Sequence, residues 1–119
     1  MRQGEASGAL VASGAKARLA LCVMTTPSMV PIVAVGDFLL IETDFKGRFE
    51  PGDLALLPDF AGAGQQIVHR VIGVIRVDGE RWLVTKGDGN VRRDAPIRES
   101  SAAGRVVLLG RPNRDWIRL

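Results

Sequence analysis

The sequence of 119 residues has no tyrosine, one histidine and one cysteine, and only 5% of its residues are aromatic. With Cys22 as the only thiol, the chain forms no internal disulfide and offers no cysteine cluster for a zinc ion. No run of basic residues is longer than two, so no extended patch for nucleic acid is indicated. We therefore expect no metal, no other cofactor and no nucleic-acid partner.

The sequence also lacks a hydrophobic run that is suited to crossing a membrane. Residues 19–36 are free of charge, and about 17 to 25 apolar residues are needed to span a bilayer. Pro27 and Pro31 interrupt any helix there. Residues 8–14 are too few and too rich in glycine for a secretory signal. The sequence predicts a soluble protein without a transmembrane anchor, and the single cysteine agrees with a cytoplasmic one.

Apolar residues, 46% of the total, occur in short runs that are separated by many of the 14 glycines and 6 prolines. Their alternation or β-branched content predicts strands, which lie at residues 16–23, 38–42, 54–57, 66–77, 82–85, 105–109 and 116–119. We predict an all-β domain over residues 15–119, built as a curled, barrel-like sheet of short strands. Residues 1–14 form a separate N-terminal segment, with a short helix predicted around residues 5–13.

Turn signals separate these runs. The Asp78-Gly79 pair predicts a tight hairpin between the strands on either side of it. Asp37 and Asp53 each follow a glycine, and we expect both aspartates to cap turns. Arg70 is expected either to pair with a carboxylate or to face solvent at a strand edge.

A serine, a histidine and two aspartates are candidates for covalent chemistry. Ser28 lies between two prolines, which restrict the backbone that would present a nucleophile. His69 is in the most strand-like segment, and imidazole titrates near neutrality, as a general base requires. Asp88 or Asp94 could orient that base, although Asp88, flanked by glycines, is expected to accept backbone N–H groups of its own loop. Their ordinary interpretation is a loop serine, a core histidine and turn-forming acids.

Several short motifs occur in the order that is typical of one peptidase clan. They are Ser28-Met29-Val30-Pro31 with Gly36-Asp37, Pro51-Gly52-Asp53-Leu54, His69-Arg70-Val71-Ile72-Gly73, Thr85-Lys86-Gly87-Asp88-Gly89-Asn90 with Asp94, and Gly104-Arg105-Val106-Val107. The chain thereby resembles the signal peptidase clan, whose β-fold LexA-type repressors share, over about residues 15 to 110. A histidine stands where bacterial members carry lysine, which resembles the eukaryotic and archaeal branch.

The resemblance implies a role for each matched residue. Ser28 corresponds to the nucleophile and His69 to the general base. Asp94 corresponds to the acid of the triad, and Asp88 to a second acid near the site. The backbone N–H of Ser28 and the hydroxyl of Thr26 correspond to the oxyanion hole, where negative charge develops during acyl transfer. The resemblance implies no cofactor.

Some features depart from the family pattern. Pro27 stands where the family often has glycine, and Gly89 stands where it has asparagine. Membrane-bound members carry an N-terminal anchor, whereas this sequence resembles the short, soluble members. The expected function is a soluble serine endopeptidase that cleaves a leader or signal-like peptide after small residues. A non-catalytic peptide-binding module, or a regulatory domain that acts with a partner protein, is the alternative.

Overall fold

The computed structural model describes residues 8–11, 18–58, 66–112 and 116–119, the first segment by its backbone. These residues contain two 3-10 turns, Pro27–Met29 and Glu99–Ser101, and no helix long and apolar enough to cross a membrane. They also form nine strands. The strands are β1 Gly8–Val11, β2 Arg18–Val23, β3 Phe38–Glu42, β4 Leu54–Leu57, β5 Ile67–Val77, β6 Glu80–Lys86, β7 Ile97–Arg98, β8 Gly104–Gly110 and β9 Ile117–Arg118.

The strands belong to one antiparallel sheet. The order across it is β1-β2-β3-β8-β4-β5-β6-β7, with β9 beside β8. β8 therefore joins the half of the sheet that contains β1, β2 and β3 to the half that contains β4 to β7. The register shifts between Leu40 and Ile41 and between Val71 and Gly73, and such bulges increase the twist of a sheet. The prediction of an all-β, curled sheet is confirmed.

The apolar runs predict β3 and β4 with the observed bounds, and β2, β5, β6, β8 and β9 to within two residues at each end. Asp78 and Gly79 have φ angles of 51° and 80° and join β5 to β6, as the hairpin signal predicted. β7 was not predicted, because a strand of two residues is too short to show alternation.

The helix predicted around residues 5–13 is wrong where the structure describes that segment. Gly8–Val11 pairs with β2, from Gly8 opposite Leu21 to Val11 opposite Arg18. Its backbone groups are therefore part of a ladder between strands, and this pairing outweighs the helix propensity of Ala9 and Leu10. The other residues of the 1–14 segment lie outside the described residues.

The two Gly-Asp motifs form the same turn twice. A glycine at positive φ, 94° at Gly36 and 103° at Gly52, lets the N–H of the aspartate that follows donate to the carbonyl three residues earlier, at 3.0 Å in both turns. The aspartate side chain then accepts a bond from the N–H three residues earlier, at 2.9 Å for Asp37 and 2.8 Å for Asp53. The prediction that both aspartates cap turns is confirmed.

The two turns also dock on their neighbouring strands in the same way. Met24, beside the first turn, and Val71, beside the second, each exchange two backbone hydrogen bonds of 2.8 Å with the glycine N–H and the aspartate C=O. Met24 lies four positions before Ser28, and Val71 lies two positions after His69. The turns therefore brace the two segments that carry these candidate residues.

Buried apolar side chains form two clusters. One consists of Phe49, Ala55, Leu57, Val71 and Leu83. The other, which is larger, consists of Met24, Met29, Val33, Leu39, Ile41, Leu54, Val68, Val106 and Leu109. Because Met29 follows Ser28 directly, burial of its side chain anchors the Pro27–Met29 turn in the core.

Replacing the glycine of either turn by alanine should destabilise the protein, although there is room for the methyl group. Nothing lies within 4 Å of a Cβ built at Gly36 or Gly52. The cost is that of an L-residue held at positive φ, about 1–2 kcal/mol. Gly73→Ala is the control, because its Cβ would meet Val84 at 3.9 Å. Urea unfolding measures all three variants, and equal stabilities would contradict the assignment of strain.

Candidate active site

Ser28 is presented by a short, closed turn. Pro27 occupies the first position of the Pro27–Met29 turn, where its missing N–H costs nothing and its restricted φ favours the bend. The proline also keeps Thr26 extended, with φ of −124° and ψ of 156°. A 3.1 Å backbone bond closes the turn. The serine hydroxyl therefore projects from a backbone that is held on both sides.

The hydroxyls of Thr26 and Ser28 lie together. Their Oγ1 and Oγ atoms are 3.2 Å apart, and either atom could be the donor. Both side chains are half-buried. The N–H of Ser28 has no partner among the residues that the structure describes. One N–H and one hydroxyl donor are therefore available beside the serine oxygen.

His69 lies on β5, is 5% exposed, and contacts Asp94. Its Nδ1 is 2.6 Å from Oδ2 of Asp94. Because an ionised carboxylate can only accept, Nδ1 is the donor, and the lone pair of the neutral imidazole lies on Nε2. Nε2 is therefore the basic atom of this side chain.

The loop that follows β6 lies between His69 and the Pro27–Met29 turn, which is called the serine turn below. The N–H of Gly89 donates to the carbonyl oxygen of Ser28 at 2.8 Å. A Cβ built at Gly87 would lie 2.7 Å from that same oxygen and 3.0 Å from Nε2 of His69. Only glycine fits between them. The main chain of Ser28 and Nε2 of His69 therefore lie on either side of Gly87.

Ser28 and His69 are neighbours, but no hydrogen bond joins their side chains in the part of the chain that the structure describes. The described partner of the serine hydroxyl is Thr26. Catalytic hydrogen bonds are often long before substrate binds, and a serine hydroxyl moves between staggered positions by rotation about a single bond. The serine hydroxyl would have to turn from Thr26 toward Nε2 of His69 before a proton could pass between them.

The two aspartates have different partners. Asp88 binds the guanidinium of Arg70 through two bonds of 2.8 Å, and the same guanidinium donates to the carbonyl of Gly52 at 2.8 Å. Of the two expectations for Arg70, pairing with a carboxylate is the one observed. The hydrogen bonds that Arg70 donates to Asp88 raise the pKa of Arg70 above its ordinary value.

The expectation that Asp88 accepts N–H groups of its own loop is wrong. A guanidinium offers two parallel donors that match both oxygens of a carboxylate, and it therefore outcompetes single backbone groups. Asp88 contributes its own N–H instead, which donates to the sulfur of Met29 at 3.2 Å. Asp94 is thus the aspartate that contacts His69, and Asp88 holds the loop that lies against the serine turn.

Two polar residues that the sequence did not single out also contact this region. Thr85 on β6 donates its hydroxyl to Oδ2 of Asp94 at 2.7 Å. Arg111, which follows β8, binds Asp37 at 3.1 Å and the carbonyl of Ile32 at 2.6 Å. Thr85 follows the apolar run Trp82-Leu83-Val84 and begins one of the quoted motifs, which was a usable signal for it. No local pattern indicates Arg111, because its partners are distant in the sequence.

Comparison with known proteins adds no assignment. No family model, no curated protein and no solved structure matches the chain. The resemblance to the signal peptidase clan therefore depends on the motifs, and the interpretation of the site depends on its geometry.

Asp88→Asn should lower the free energy of unfolding by about 1–2 kcal/mol. The side chains of Arg70 and Asp88 are 29% and 17% exposed. Hydrogen bonds to charged groups contribute about 1.5–3 kcal/mol, and partial exposure to solvent reduces that range.

Glu80→Gln is the matched control for this prediction. Glu80 pairs with Arg98, and both of their side chains are more than half exposed, so the expected loss is below about 0.5 kcal/mol. Urea unfolding compares the two variants with the wild type. If they lose the same stability, the Arg70 pair does not hold the loop.

Proposed function

We propose that this protein is a serine endopeptidase of the signal peptidase type, which cleaves a leader or signal-like peptide through an acyl-enzyme on Ser28. The proposal is supported above all by the 2.6 Å contact of His69 Nδ1 with Asp94, with the main chain of Ser28 on the other side of Gly87. Acyl transfer to a serine needs a nucleophile, a base beside it and an acid that orients the base, and these are the roles assigned to Ser28, His69 and Asp94. The motif resemblance agrees with it.

In the proposed acylation, Oγ of Ser28 attacks the carbonyl carbon of the scissile peptide bond. Its proton passes to Nε2 of His69, and Asp94 stabilises the resulting imidazolium. The former carbonyl oxygen takes the negative charge of the tetrahedral intermediate. The N–H of Ser28 and the hydroxyl of Thr26 are the donors for that charge. Thr26 lies 3.2 Å from the attacking oxygen in the structure.

Collapse of the intermediate breaks the carbon–nitrogen bond. The leaving amine takes the proton from Nε2 of His69, and the acyl group stays on Ser28 as an ester. In deacylation, Nε2 removes a proton from water, and the resulting hydroxide attacks the ester carbonyl. The serine oxygen then takes the proton back. Each half-reaction uses the same base and the same donors for the oxyanion.

The substrate class in this proposal comes from the resemblance. Members of the clan prefer small residues just before the cut, in an Ala-x-Ala pattern. We propose the leader of a small secreted or modified peptide as the substrate. We place the reaction in the cytoplasm, because the single cysteine is compatible with a reducing compartment.

A fluorophosphonate probe, which reacts with activated serine hydroxyls, should label the protein at Ser28. Ser28→Ala removes the nucleophile and His69→Ala removes the base, so each variant should lose labelling. Ser100→Ala is the control, because Ser100 is an exposed serine in a 3-10 turn. Peptide mapping of the labelled protein by mass spectrometry identifies the modified residue.

Circular dichroism of the same variants checks that the fold is retained. Full labelling of His69→Ala, or labelling at another serine, would contradict the proposed roles. A wild-type protein that binds alanine-rich peptides but is never labelled would support the alternative of a non-catalytic peptide-binding module.

Thr26→Val should lower kcat by about 10²–10³, the loss that removal of one oxyanion donor causes. Valine keeps the shape of threonine and removes only the hydroxyl, while Thr26→Ser should restore most of the rate. Hydrolysis of Ala-x-Ala p-nitroanilide peptides measures the effect. Thr43→Val is the control, since the Thr43 hydroxyl makes only a 3.4 Å contact with the carbonyl of Arg18. A rate for Thr26→Val within twofold of the wild type would remove Thr26 from the oxyanion hole.

A further inference from the structure

Thr85 is a polar residue in a position that suits an apolar one. It lies on β6 opposite Val71 of β5, and none of its surface is exposed. Its neighbours along the strand, Leu83 and Val84, are buried apolar residues. Valine would fill the same volume without a hydroxyl to satisfy, and a buried hydroxyl is unfavourable unless it is hydrogen-bonded. The hydroxyl of Thr85 therefore needs an explanation other than packing.

The hydroxyl and the main chain of Thr85 both bind Asp94. The hydroxyl donates to Oδ2 of Asp94 at 2.7 Å, and the carbonyl of Thr85 accepts the Asp94 N–H at 2.8 Å. Oδ2 is also the atom that accepts from Nδ1 of His69, at 2.6 Å. One carboxylate oxygen thus receives two donors, and both donors come from the paired strands β5 and β6.

We propose that Thr85 is a positioning residue, which holds the carboxylate of Asp94 against Nδ1 of His69. The terminal bond of an aspartate side chain has no sharp rotational preference, so the bond to histidine alone leaves the carboxylate free to turn. A second donor at a set place on a strand removes that freedom. The proton of the neutral imidazole then stays on Nδ1, and the lone pair stays on Nε2.

The catalytic consequence of this inference rests on the proposed function, whereas the effect on the imidazole does not. Without the Thr85 hydroxyl, the carboxylate of Asp94 turns away part of the time, and the proton of the neutral imidazole is shared between both nitrogens. The tautomer with its proton on Nε2 cannot accept the serine proton. We expect kcat to fall by about 10- to 100-fold, which corresponds to the loss of one hydrogen bond to a charged group. KM should change little, because a fully buried residue does not contact a peptide.

The single histidine of the sequence makes a direct test practical, since ¹⁵N NMR of the imidazole reports His69 alone. The spectrum is recorded at alkaline pH, because the nitrogen shifts of a neutral imidazole distinguish the two tautomers. Wild type, Thr85→Val and Thr85→Ser are compared, with Thr43→Val as the control for loss of a remote threonine hydroxyl. Hydrolysis of an Ala-x-Ala p-nitroanilide by the same proteins gives kcat and KM.

The wild type, Thr85→Ser and Thr43→Val should have the proton on Nδ1, and Thr85→Val should show both tautomers together with the loss in kcat. Thr85→Ala takes the place of Thr85→Val if the valine protein does not fold, with the same shift expected. Thr85→Val with the wild-type tautomer and the wild-type kcat would overturn the inference and leave Thr85 a packing residue. A shift of tautomer in a protein that hydrolyses no peptide supports the positioning of Asp94 and refutes the proposed function.

Discussion

The antiparallel pairing of β5 with β6 is the interaction on which the candidate site depends. Arg70 lies opposite Lys86, and the same register continued by one position brings His69 beside Gly87, where β6 ends and the loop begins. The chain then returns, so that the Asp94 N–H binds the last part of β6. A slip of one residue would turn every side chain of the strand to the other face. The positions of His69, Asp94 and Gly87 relative to one another are therefore all set by the register of β5 with β6.

Strand alternation also explains why two neighbouring residues serve two different acids. Successive side chains of a strand point to opposite faces, so His69 and Arg70 cannot contact the same carboxylate. His69 contacts Asp94 in the buried layer, while Arg70 forms a partly exposed pair with Asp88. The arginine neutralises the charge of Asp88 away from the imidazole. The loop between the two aspartates is thereby held at both ends.

The two Gly-Asp turns have the same hydrogen bonds, and the first turn also forms an ion pair with an arginine. Asp37 is 4% exposed and binds Arg111, whose guanidinium also reaches the carbonyl of Ile32. A buried carboxylate is stabilised when it has both a backbone donor and a cation. Because Arg111 follows β8, the segment after Ser28 depends on the strand that joins the two halves of the sheet. Thus the serine turn is tied to the sheet on one side and to the loop after β6 on the other.

The sequence by itself determined the β class, the bounds of most strands, the hairpin at Asp78-Gly79 and both Gly-Asp turns. These features depend on interactions within a few residues: side-chain alternation, β-branched content, and the freedom of glycine at positive φ. The prolines beside Ser28 likewise restrict their own backbone. The motif order also singled out Ser28, His69, Asp88 and Asp94 as candidates, because it can be read without the fold.

Only the tertiary structure decided which of these residues meet. The motif resemblance implied Asp94 as the acid beside His69, but the contact between them exists only in the folded sheet, which also places Thr85 on the same carboxylate oxygen and brings Arg111 to Asp37. The tertiary structure also turned residues 8–11 into a strand, since pairing with β2 outweighs a weak local preference. Such contacts join residues that are far apart in the chain and arise when strands pair and a loop docks on a turn. No local pattern contains that information, because the geometry exists only after the sheet has formed.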